Sequence, residues 1–71
     1  MTLAERLRSE GHARGKAEGK ADAVLVLLRA RSVAVSPAAE RRIQACAEVD
    51  VLDRWLVRAA TARDVLELFE A

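Results

Sequence analysis

Gly11-His12-Ala13-Arg14, Gly15-Lys16-Ala17-Glu18 and Gly19-Lys20-Ala21-Asp22 form a run of tetrads that leads directly into Ala23-Val24-Leu25-Val26-Leu27-Leu28. A glycine recurs every fourth residue, and an alanine follows each glycine two places later. The period is too short for a stacked repeat, whose unit is about 20–50 residues. It is close to one turn of α-helix, so the tetrads describe the faces of one helix. Extending the four-residue step both ways gives Leu3, Leu7, Gly11, Gly15, Gly19, Ala23 and Leu27, small residues flanked by large apolar ones.

Glycine inside a helix costs about 1 kcal/mol relative to alanine, so this stretch would fray in isolation. Something beyond the local sequence must compensate, or the segment is a flexible, partly helical tether. A small-residue face allows a second backbone to approach closely, and the stripe is assigned to such a contact. Each four-residue step overshoots a full turn by about 40°. A long left-handed heptad seam is therefore excluded, and a short steep crossing or a right-handed wrap fits better.

The chain has 71 residues, one domain at most and near the size at which a single core is marginal. Alanine, leucine, valine and arginine dominate, tyrosine is absent, and Trp55 and Phe69 are the aromatics. That composition predicts an all-α fold. The net charge of +1 neither favours nor excludes nucleic acid. Residues 1–31 hold seven bases against four acids, and the remainder holds five against seven. Cys46 is the single cysteine, which leaves no intrachain disulfide and no CxxC metal site and makes a reducing, cytoplasmic setting the default. The apolar block 23–28 is six residues long, far short of a membrane span. Glu5 and Glu10 interrupt the basic amino terminus, unlike a secretory signal or transit peptide.

Thr2 with Glu5 makes a capping box at the start of the first helix, and Glu10/Arg14 and Arg14/Glu18 support it at four-residue spacing. The helix is expected to occupy 1–31 as an association element. Its block 23–28 is apolar all round, which calls for burial on more than one side. One side can receive the rest of this chain, and the other calls for a second protomer or domain. Residues 32–36 read as a connector. The remainder, 37–71, reads as three short helices packed on residues 23–31. Ser36 and Pro37 start the first of these as N-cap and first helical residue, with Ala39, Ile43, Cys46 and Ala47 on one face. Asp50 is the expected cap of the next, with Asp53 in its first turn and Leu52, Trp55, Leu56 and Ala59 facing inward. Thr61 with Asp64 begins the last, whose apolar face is Val65, Leu66 and Phe69, with Leu68 off that stripe. The expected core is thus Val24, Leu28, Ile43, Cys46, Leu52, Trp55, Leu56, Val65, Leu66 and Phe69, with Trp55 plugging the junction of the short helices.

No constellation for catalysis emerges. His12 stands alone in a polar repeat without an orienting acid, and Cys46 reads as a small buried hydrophobe. Glu18 and Asp22 share a face but lack a further ligand for a metal. The glycines do not make a phosphate loop, because Lys16 and Lys20 are each followed by alanine. No cofactor, metal site or enzymatic activity is expected. Nucleic-acid binding by an accessory helical domain is the alternative function. Against it, the bases of the first helix are interleaved with acids, no aromatic platform accompanies them, and of the two candidate recognition faces, around 51–58 and 62–70, the second holds three acids against one base.

Taken in order, the tetrads and apolar block from Gly15 to Arg31, the Ser-Pro helix from Ser36 to Ala47, Val51 to Leu56 and Thr61 to Phe69 resemble the carboxyl-terminal tail of bacterial Rpn/YhgA-like proteins. These are recombination-promoting nucleases, also described as putative transposases of the PD-(D/E)XK class. Relatives carry an aromatic–glycine pair after the first block, where this chain has Ser32-Val33-Ala34. The nuclease core would lie upstream of this segment. The resemblance implies a non-catalytic helical tail through which a nuclease self-associates, most simply as a dimer. It also implies a regulatory role, since in the family the tail can be made as a short product that pairs with the full-length enzyme. Met1 before Thr2 fits such a product, and equally a trimmed piece of a longer chain. The expected partners are therefore a second copy and a nuclease bearing the same tail, with no membrane involved.

Overall fold

The chain is all-helical in a computed structural model that describes residues 2–70, with side chains of the first helix described from Gly15 onward. The first helix, α1, spans Leu3–Ala30, α2 spans Pro37–Ala45 and α3 spans Val49–Ala59, and a 3-10 helix over Val65–Phe69 closes the fold. Helix α1 turns Ala17, Ala21, Val24, Leu25 and Leu28 into the core. Steps of four, three and four residues from 17 to 28 hold one face of a 3.6-residue helix, and the two alanines leave room for α3, which packs along α1. Leu52, Trp55 and Ala59 of α3 and Ala39 and Ile43 of α2 complete that side. Val24, Leu28, Ile43, Leu52 and Leu68 are the largest side chains fully withdrawn from solvent. Lys20 bonds to Asp53 between α1 and α3, and Arg29 to Glu40 between α1 and α2 at 2.9 Å.

Helix α1 ends in a Schellman motif. The Val33 N–H donates to the Leu28 carbonyl at 2.9 Å and the Ser32 N–H to the Arg29 carbonyl at 3.0 Å. This 6→1 and 5→2 pair needs a left-handed residue between them, and Ser32 supplies it at φ 61°. Left-handed backbone costs an ordinary residue about 1–2 kcal/mol, whereas glycine adopts it freely but loses about 0.5–1 kcal/mol more entropy on folding. The strain relieved outweighs the entropy lost. Ser32→Gly is accordingly expected to stabilise the fold by about 0.5–1 kcal/mol, a rise of a few degrees in melting temperature. An unchanged or lowered melting temperature would mean that this turn is built differently in solution.

Ser36 caps α2, its Oγ accepting from the Ala39 N–H at 3.1 Å, with Pro37 at the first position. Helix α2 then stops at Cys46, which lies half-buried at its C-cap, and Ala47 beyond it is exposed rather than on the inner face. Helix α3 starts two residues earlier than a cap at Asp50 would place it, at Val49 rather than Val51. Glu48 occupies the cap position without a side-chain bond, and Asp50 lies in the first turn, where its carboxylate meets the positive end of the helix dipole.

The last element departs most from expectation. Asp64 and Glu67, not Thr61 and Asp64, form the capping box: Asp64 Oδ1 accepts from the Leu66 N–H at 2.8 Å, and the Glu67 carboxylate accepts from the Asp64 N–H at 3.2 Å and from the Arg63 N–H. From there the chain winds as a 3-10 helix, in which residues three apart eclipse one another. Val65 and Leu68 therefore point inward together, Leu68 at 0% exposure, while Leu66, expected in the core, is 64% exposed. Leu56 and Phe69 are partly buried at the edge of the core. Trp55 sits at the junction of α3 with the closing segment, edge-on to Phe69 with ring centroids 5.1 Å apart, and the Arg42 guanidinium lies 4.1 Å over the Phe69 ring.

Candidate association surface on the first helix

At 100° per residue, the buried residues of α1 cover one side of the helix, and Gly15, Gly19, Ala23, Val26 and Ala30 fall within an arc of about 80° on the other. All five are exposed, Val26 at 65%. They recur at steps of four, four, three and four, so that 15 and 26, and likewise 19 and 30, are eleven residues apart. An eleven-residue return keeps a strip nearly straight, with a slight right-handed drift. Lys16 flanks the strip on one side, Glu18 and Asp22 on the other, all exposed.

The two described glycines of this strip have no role inside the fold. Neither has a positive φ, and a Cβ added at either would meet nothing within 4 Å. The core-facing small residues are the alanines of the tetrads, Ala17 and Ala21, not the glycines. Of the expected interface, Gly15, Gly19 and Ala23 lie together on the outward strip, while Leu3, Leu7 and Gly11 lie outside the described side chains. Leu27 does not continue the strip; it is half-buried against the core. Three steps of 40° have carried it about 120° round from Gly15, and Val26 takes the outward position instead. The apolar spacing could have found Val26, because an eleven-residue count from Gly15 lands on it.

The groups considered for other chemistry are placed differently. Cys46 is a free thiol, half-buried, 3.7 Å from the Glu48 carbonyl. No group of three or more His, Cys, Asp or Glu among the described residues could hold a metal ion, and no described helix is long and apolar enough to cross a membrane. Many of the bases are committed to the fold. Lys20 and Arg29 pair with acids, Arg42 stacks on Phe69, Arg31 donates to the Ala59 and Ala62 carbonyls at 2.7 Å each, and Arg58 donates to the Leu68 and Glu70 carbonyls. Lys16, Arg41, Arg54 and Arg63 lie on α1, α2, α3 and the segment after α3 respectively. Comparison of the chain with protein families, curated proteins and solved structures finds no match.

Proposed function

We propose that the protein is a non-catalytic association module that pairs through the outward strip of α1, with a second copy of the chain as partner. The observation that carries this reading is the pair Gly15 and Gly19, exposed in the middle of a helix with open space beside each. Each lowers helix stability by about 1 kcal/mol relative to alanine and does nothing for the fold in return. A helix lying across the strip would use the missing side chains as room for close approach and would cover Val26. The tail of an Rpn/YhgA-like nuclease is the context this suggests, with the full-length enzyme as a second partner carrying the same strip.

Light scattering tests the proposal. At micromolar concentration the chain is expected to show a mass above the 7.8 kDa of one copy, and Gly15→Leu is expected to return it to that value. A monomer with or without the substitution would overturn the reading. Pairing with a nuclease is a separate matter, decided by whether the chain co-purifies with a full-length enzyme bearing the same tail and inhibits it.

A further inference from the structure

We draw no further inference here: the strongest candidate outside the α1 strip, the shallow apolar groove between the extended segment 33–36 and the closing 3-10 helix where Leu66 stands exposed, is an unpartnered surface, and nothing in the structure shows what covers it.

Discussion

Leu68→Ala is expected to cost about 2–5 kcal/mol, the range for truncating a fully buried leucine. A single core in a chain this short supplies about 3–5 kcal/mol in all, so the variant should be largely unfolded at room temperature or melt more than about 10 °C lower. Leu66→Ala, two residues away and 64% exposed, should change stability by less than about 0.5 kcal/mol. The contrast arises from the three-residue period of the closing segment, which sends Val65 and Leu68 inward. Trp55 fluorescence provides the readout, because Phe69 packs on that indole and should leave it when Leu68 is lost. If the two variants were equally stable, or Leu66→Ala the weaker, the segment would have an α-helical register instead.

Arg31→Ala has the next largest expected effect. One guanidinium nitrogen of Arg31 reaches across from the end of α1 to the Ala59 and Ala62 carbonyls, 2.7 Å from each. The Ala59 carbonyl ends α3, where unpaired C=O groups and the helix dipole both favour a cation, and the Ala62 carbonyl lies just past the turn that follows. A hydrogen bond involving a charged group is worth about 1.5–3 kcal/mol, but Arg31 is exposed, and solvent screening argues for the lower end. A loss of about 1.5 kcal/mol is expected, read as a lower urea midpoint at unchanged slope. Arg31→Lys keeps the charge, and because a single nitrogen makes both bonds, an ammonium with its three donors should recover most of the loss. A midpoint unmoved by the alanine change would show that this clasp is open in solution.

Much of the fold was legible because its signals are local. Ser36-Pro37 announces a helix start whatever surrounds it, and the Val24, Leu28, Ile43 and Leu52 positions follow from helical spacing around large apolar side chains. The closing element was not legible for the opposite reason. Whether 65–69 winds with three or 3.6 residues per turn depends on how Leu68 fits into the core and on Arg58 holding the Leu68 carbonyl, and neither is a property of the segment alone. Arg31 was missed likewise: nothing near it in the chain says that the ends of α1 and α3 meet. The α3 start shifted by two residues because Asp50 stabilises a helix from the first turn as well as from the cap.

The tetrads illustrate a subtler limit. Their period establishes a helix, yet glycine and alanine are both small, and the repeat does not say which of them faces the body. Counting back from Leu28 in steps of four, three and four places Val24, Ala21 and Ala17 inward, and so leaves the glycines outside. The stripe that starts at Leu3 mixes two faces, because its 40° drift accumulates to about 240° by Leu27. Gly15, Gly19 and Ala23 lie on the outward strip, and Leu27 lies off it.

The most direct measurement is the solution mass of the Gly15→Ala/Gly19→Ala double variant beside the parent chain. With open space at both positions and a propensity gain of about 1 kcal/mol each, the variant should be the more stable helix when dilute. Two added methyl groups on a close helix–helix contact should nevertheless shift it toward a single-copy mass at concentrations where the parent associates. A variant that keeps the parent's mass, whether that mass is of one copy or several, would contradict the role given to the glycine strip.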